Sequence, residues 1–303
     1  MRQELYTGLC EIAGTGHVYQ NEPMSRHTTF RIGGPADVFV VPESTRALAK
    51  TVSFCRTNQV PFYILGNGSN LLIGDKGYRG VVIQIYRNLN DIQVWGEKIH
   101  AQAGAMLSVI AKQALANALT GFEFASGIPG TLGGAVMMNA GAYGGEMKDV
   151  FQEALVLTPE GELQKLSCEE MEFGYRTSVV EKRNYIVLET TLKLQPGDEA
   201  AIRQRMEELK LQRTTKQPLD LPSAGSTFKR PEGYFAGKLI MDAGLRGFSV
   251  GGAQVSEKHC GFVVNKGGAT AADVRELMRQ VTERVETQFG VTLEPEVKML
   301  GDF

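Results

Sequence analysis

The chain has 303 residues, 35 of them glycine, with 32 basic and 34 acidic side chains and a net charge of −2. This balance leaves no electrostatic footprint for nucleic acid, and no run of about 18 apolar residues is present to cross a membrane. The glycines follow no period, which excludes collagen-like and low-complexity readings; they bunch in a few short stretches, and the bunching asks for an explanation. The amino terminus lacks the hydrophobic segment of a secretory signal, and Cys10, Cys55, Cys168 and Cys260 are scattered with no C-x-x-C pair. No metal site or disulfide framework is expected, and the scattered thiols point to a reducing, cytoplasmic setting.

In chain order, Ala36–Val41 predicts a strand ended by Pro42. Ser44 then reads as the N-cap of a helix to about Asn58, with Leu48, Val52 and Cys55 on one face. Val60–Leu65 predicts a buried strand that runs into Gly66-Asn67-Gly68-Ser69-Asn70, then a second apolar run, Leu71–Ile73. Gly80–Ile85 is a further strand, and Val94–Ile99 a hairpin around Gly96. A helix is expected from about Met106 to Leu119, stopped by Gly121. A second glycine-rich loop runs from Ser126 to Gly145.

Strands return at Ala154–Leu157 and Leu163–Leu166, around a Pro159-Glu160-Gly161 turn, and Tyr185–Leu194 alternates like a strand. A helix follows over about Glu199–Leu211. The last third opens on a Pro-rich stretch, 217–222, and carries a short helix near 238–243 stopped by Gly244 and a strand at Phe262–Val264. The longest helix, Ala271–Phe289, is capped by Thr270 with Asp273 at N3; a final strand is expected at Glu294–Lys298. Strands arrive in runs, with helices between them in no strict alternation, which favours α+β over a doubly wound parallel sheet. The composition change near 200–222 marks a separate C-terminal domain.

The first glycine loop has only part of a G-x-G-x-x-G fingerprint. Leu71 stands where the third glycine belongs, and a strand-like run follows where a Rossmann site needs a helix. Two readings remain: a tight strand-to-strand turn, or a nest of backbone N–H groups that binds an anion, with Ser69 and Asn70 adding side-chain donors. The second stretch holds seven glycines between positions 127 and 145. It reads either as a surface linker or as backbone packed against something flat that is not protein. Ile128, Leu132, Val136 and Met137 sit poorly in a linker.

Two such loops resemble those of the vanillyl-alcohol-oxidase-like FAD-binding fold. Further segments narrow the resemblance: Thr28-Thr29-Phe30-Arg31-Ile32-Gly33-Gly34-Pro35-Ala36, Phe173-Gly174-Tyr175-Arg176-Thr177-Ser178, Pro222–Lys229 and Leu293-Glu294-Pro295-Glu296-Val297. Taken one at a time they have plainer readings: Arg176 as a surface cation, Ser226 as a turn hydroxyl, Glu296 as a solvated strand residue. Together, in order from about His27 to Gly301, they resemble the MurB family of peptidoglycan-precursor reductases. The absence of a long insertion between Arg176 and Ser226 resembles its shorter, type II branch.

The resemblance implies an α+β chain with a two-subdomain FAD-binding fold of the vanillyl-alcohol-oxidase/PCMH type, residues 1–90 and 91–198, and a C-terminal α+β substrate-binding domain, 199–303. It implies noncovalent FAD, reduced by NADPH, and a UDP-sugar enolpyruvyl ether as the small-molecule substrate. Arg176, Ser226 and Glu296 then take the catalytic positions. Gly66, Asn67, Gly68, Ser69, Asn70 and Leu71 would hold the FAD pyrophosphate. Gly127, Ile128, Pro129, Gly130, Thr131, Gly133, Gly134, Asn139, Gly141 and Ala142 would cover the flavin, with Val187 beside it. Tyr175, Lys216, Lys229 and Arg230 fall at substrate-binding positions.

Two departures stand out: Arg230 replaces an asparagine usual in the family's Lys-Asn-Pro, and Lys298 replaces an arginine. Two alternatives are a flavin oxidase of the same fold and a flavin- or nucleotide-binding module without turnover. The first loop has no histidine for covalent FAD attachment, as many oxidases of the fold have. The joint presence of Arg176, Ser226 and Glu296 argues against the binding module.

Overall fold

The computed structural model describes residues 3–303. Helix α1 (Gln3–Ala13) opens it, followed by strands β1 (Val18–Pro23) and β2 (Pro35–Val40). Helix α2 (Thr45–Thr57) starts where Ser44 predicts: its hydroxyl accepts the Ala47 N–H at 3.1 Å, and Leu48, Val52 and Cys55 are buried. Strands β3 (Phe62–Leu65), β4 (Leu71–Ile73) and β5 (Tyr78–Gln84) flank the first glycine loop, and β6 (Ile92–Trp95) and β7 (Lys98–Gln102) form the expected hairpin. Then come α3 (Leu107–Ala116), β8 (Leu119–Thr120), α4 (Leu132–Met137), β9 (Gly141–Ala142), β10 (Gly145–Glu146), β11 (Phe151–Leu157) and β12 (Leu163–Ser167). They are followed by α5 (Val179–Lys182), β13 (Ile186–Lys193), β14 (Gln195–Pro196) and α6 (Glu199–Lys216). The remainder is β15 (Ser223–Ser226), α7 (Ala236–Asp242), β16 (Ser249–Val250), β17 (Ala253–Val255), β18 (Phe262–Asn265), α8 (Ala271–Phe289) and β19 (Lys298–Leu300).

The described chain divides into two compact units. The first comprises the residues up to Tyr19, Phe39–Asn67 and Val82–Arg213; the second comprises Gln20–Val38, Gly68–Val81 and Thr214–Phe303. In the first, an antiparallel sheet runs β12-β11-β13-β7-β6. Its central strand β13 is buried on both faces rather than alternating, because α4 packs on it; a strand covered on both sides reads as a continuous apolar run.

In the second unit, β15-β18-β17-β16 forms an antiparallel sheet. Val274, Leu277, Met278, Val281 and Val285 of α8 join Val255, Val263, Leu239 and Phe228 in its core. Thr270 and Asp273 close the expected capping box on α8. Strand β4 pairs in parallel with β19, and just beyond β4 the Asp75 carboxylate accepts the first N–H groups of α8, from Ala271 at 2.7 Å and Ala272 at 2.9 Å.

Four elements differ from the expectation. Helix α3 ends at Ala116 rather than near Leu119: Ala118 itself turns left-handed (φ 50°) and sends Leu119 and Thr120 into pairing with β14. Burying Leu119 offsets the cost of about 1 kcal/mol for an L-residue in that conformation. The stretch 126–145 is not one loop; it holds α4 and the β9–β10 hairpin, which bury Leu132, Val136 and Ala135. Helix α6 continues five residues past Leu211, so Arg213 and Lys216 are helical. The segment 294–297 is extended but lies outside a ladder, with Pro295 making a single bridge to Phe228, as expected of a residue that lacks an N–H.

Candidate active site

Gly66–Asn70 is a turn between two strands, and Thr29 supports it: its N–H donates to the Gly68 carbonyl at 3.1 Å, and its hydroxyl donates to the Ser223 carbonyl at 2.7 Å. Gly68 sits at φ 62°, and a Cβ there would collide with the His27 carbonyl oxygen. His27 is itself held by Glu22, Nε2 to Oε1 at 2.9 Å. Among the described residues, the successive backbone N–H groups of Asn67, Gly68, Ser69 and Asn70 meet no protein acceptor. A run of outward N–H groups about a left-handed glycine is an anion-binding nest, so the loop suits a pyrophosphate.

The second stretch is built differently. Its start packs on the start of the first loop: Asn67 Nδ2 donates to the Pro129 carbonyl at 2.7 Å, and a Cβ on Gly66 would collide with Thr131 Oγ1. A Cβ on Gly133 would lie 2.9 Å from Ala103 Cβ, and one on Gly145 would lie 2.7 Å from the Phe124 ring. These glycines let backbone meet protein. Gly127, Gly134 and Gly144 are exposed, and Ile128–Gly130, Gly141 and Ala142 are at least partly open, small surface of the kind a flat ring system packs against.

Arg176 lies on a narrow turn closed by the Gly174–Thr177 bridge, at φ 56°. A bulky L-residue in the left-handed region costs of order 1–3 kcal/mol and marks functional sites. Its guanidinium donates to the Gly141 carbonyl at 3.4 Å and lies 5.3 Å from the centre of the exposed Tyr175 ring. Asn139 is 1% exposed. Both its N–H donors are used inside the protein, to Glu146 Oε2 at 2.9 Å and the Gly174 carbonyl at 3.1 Å, while its oxygen accepts the Lys148 N–H at 3.0 Å.

In the second unit, Gly225 at φ 77° and a register shift along β15 turn the exposed Ser226 out of the sheet. Such bulges re-aim a side chain. The Ser226–Lys229 segment runs beside 294–297: Glu296 N–H donates to the Thr227 carbonyl and Lys229 N–H to the Glu294 carbonyl, both at 2.8 Å. Asn70 of the first loop donates to the Glu296 carbonyl at 3.2 Å, and Lys298 N–H donates to the Asn70 carbonyl at 3.1 Å. Glu296 and Asn70 are therefore hydrogen-bonded to each other, and Glu296 to Thr227, the residue next to Ser226.

The other expected residues are placed as follows. Lys229 pairs with Glu294 at 3.1 Å. Arg230 lies 4.0 Å over the Phe235 ring and donates to the Tyr234 carbonyl at 3.3 Å. Lys216 is the exposed last residue of α6, and Val187 is buried in β13.

One residue escaped the sequence reading. Arg213 donates to the Gly127 carbonyl and bonds Tyr143, so it grips both ends of the second stretch, and burial pushes its pKa down. Its place on one face of α6 would have flagged it had the helix been extended past Leu211. No cluster of metal-ligating side chains occurs among the described residues.

Residues 36–167 match the family model of an FAD binding domain, and 217–300 that of the C-terminal domain of UDP-N-acetylenolpyruvoylglucosamine reductase. The chain is 54% identical over its whole length, and the whole of the relative's, to the protein of that name from Caldanaerobacter subterraneus subsp. tengcongensis. It is 56% identical to that from Agathobacter rectalis, over 94% of each chain. The crystal structure of the Thermus caldophilus enzyme superposes with a TM-score of 0.79 at 35% identity, over 93% of this chain and 98% of that one. At such identity over its whole length, the chain belongs to the MurB family of UDP-N-acetylenolpyruvoylglucosamine reductases.

Proposed function

We propose that this protein is a FAD-dependent reductase that uses NADPH to convert UDP-N-acetylglucosamine enolpyruvate to UDP-N-acetylmuramate, a step of peptidoglycan precursor synthesis. The observation that carries the reading is the framework of the second unit, in which Thr227, next to the turned-out Ser226, accepts the Glu296 N–H on its carbonyl and Asn70 of the nest donates to the Glu296 carbonyl. Bound here and reduced, FAD would supply the hydride for the β-carbon of the substrate's double bond.

The protein's part is electrostatic and protic. Conjugate reduction pushes negative charge into the enolpyruvyl carboxylate, and the Arg176 guanidinium stabilises that charge more in the transition state than in the ground state. Ser226 delivers the proton to the α-carbon; its hydroxyl is a weak acid, but the enolate is a strong base. Glu296 assists as a neutral hydrogen-bond donor or by orienting another group, since an ionised carboxylate there would oppose the developing charge.

Gly66–Leu71 would hold the pyrophosphate of FAD through the nest, and Gly127–Gly134, Gly141, Ala142 and Val187 would contact the flavin. Tyr175, Lys216, Lys229 and Arg230 bind the sugar nucleotide, the cations meeting its diphosphate. Residues 1–90 and 91–198 are thus assigned to the cofactor and 199–303 to the substrate. The cytoplasm, which supplies both NADPH and nucleotide sugars, is the proposed setting; no described helix is long and apolar enough to cross a membrane.

Stopped-flow measurement of the two half-reactions tests the roles. Ser226→Ala and Arg176→Ala should leave flavin bleaching by NADPH nearly intact. Both should slow reoxidation by the enolpyruvyl substrate, Arg176→Ala by roughly 100-fold or more. Equal losses in both halves would sink the assignment of Ser226, and unchanged turnover that of Arg176.

A further inference from the structure

The Arg176 turn is fastened to the second glycine stretch at three points. The Gly174 carbonyl, at its entry, accepts from Asn139 Nδ2 at 3.1 Å. The hydroxyl of the fully buried Ser178, at its exit, donates to the Met137 carbonyl at 2.7 Å. Between them the Arg176 guanidinium reaches the Gly141 carbonyl.

The template beneath is rigid for identifiable reasons. Residues 141–146 form the β9–β10 hairpin, whose two turn residues Tyr143 and Gly144 are both left-handed, φ 54° and 88°; this is the turn that matches strand twist. Glu146 closes a capping box with Asp149 and pairs with Lys148, and it also accepts the second Asn139 N–H. Asn139 thus has no N–H left for any ligand; its donors join the template to the Arg176 turn.

We infer that Asn139 is a positioning residue: through the Gly174 carbonyl it holds Arg176 in its left-handed conformation on the glycine template. The inference rests on the reading of Arg176 as the cation that stabilises the developing enolate. Loss of the anchor lets the turn relax toward an ordinary backbone conformation, and the guanidinium moves off its place. A displacement of about 1 Å costs a catalytic group up to roughly 100-fold. The flavin, which Asn139 does not touch in this account, is held as before.

Four proteins test it: Asn139→Ala, Ser178→Ala, Arg176→Ala and the Asn139→Ala/Arg176→Ala double variant. FAD affinity of each apoprotein is read by flavin fluorescence, and the two half-reactions by stopped flow. Asn139→Ala should raise the Kd for FAD by less than about 3-fold, leave reduction by NADPH unchanged and slow reoxidation by roughly 10- to 100-fold. Ser178→Ala, which loosens the same turn from its other end, should act in the same direction and more weakly; it carries the test if Asn139→Ala does not fold. In the Arg176→Ala background, Asn139→Ala should have no further effect on reoxidation, since residues that act through one another are not additive.

Additive losses would overturn the inference. So would a rise in the FAD Kd of about 10-fold or more with reoxidation untouched, which would make Asn139 a cofactor ligand. If Arg176→Ala alone leaves reoxidation unchanged, the reading of Arg176 falls first and the inference with it.

Discussion

The two glycine-rich stretches look alike in sequence and differ in what their glycines do. In Gly66–Leu71, left-handed Gly68 leaves four consecutive backbone N–H groups with no protein acceptor among the described residues. Across Gly127–Gly145, three of the seven glycines let backbone press on other protein: Gly133 on Ala103, Gly141 on Gly145 and Glu146, Gly145 on Phe124. The first stretch spends its glycine on unpaired donors, the second on close packing. A glycine count therefore says that backbone is approached closely and leaves open by what.

The sharpest way to break this contrast is Gly68→Ala. The left-handed φ and the His27 carbonyl oppose a Cβ, and neither neighbour is a flexible side chain. The expected outcome is protein purified without flavin, with FAD affinity reduced by about 100-fold or more; near-normal affinity in a fluorescence titration would remove the nest from the argument. Gly133→Ala should instead act on stability, by about 1–3 kcal/mol as for other overpacked cores, with FAD affinity less affected. The pair Gly133→Ala/Ala103→Gly should regain part of the loss in urea unfolding; no recovery would mean that the packing account is wrong. Gly144→Ala meets nothing nearby, so only its φ of 88° costs, at about 1 kcal/mol, with flavin binding unchanged.

The smallest effect concerns acid. Burial lowers the pKa of His259 below its ordinary 6.5, and its Nδ1 accepts the Gly261 N–H at 3.1 Å. As the pH falls, the unfolded chain takes up this proton before the folded one does. The contribution is therefore complete above about pH 6.5 and is lost progressively below it. Thermal midpoints should fall between pH 7 and 5, and His259→Gln should flatten that decline. The Gly261 carbonyl accepts the Thr227 N–H, so acid should disturb the Ser226 side while leaving the nest intact.

Much of this was legible beforehand. The Ser44 cap, the Thr270–Asp273 box and the apolar face of α8 are local patterns, and each appeared at its predicted residues. The strand after the first loop, which argued against a Rossmann site, is β4. The failures were tertiary. Ala118 turns left-handed because β14 pairs with the residues after it, which no window around Ala118 reveals. The helix α4 was hidden by its glycines, whose low intrinsic propensity is overridden by packing on β7 and β13. The carbonyl and carboxylate partners of the Asn139 side chain come from separate segments, which no local pattern around it reveals. Arg213 was invisible because its partner, the Gly127 carbonyl, is backbone.

The parallel pairing of β4 with β19 joins residues more than 200 positions apart. Closing so long a loop before any contact rewards it makes such pairings slow and late. On the ribosome, the nest sequence emerges early, yet the strand that braces Leu71 and the helix end that takes up Asp75 are made much later. The turn after β3 should therefore take shape only once the start of α8 and β19 have been made.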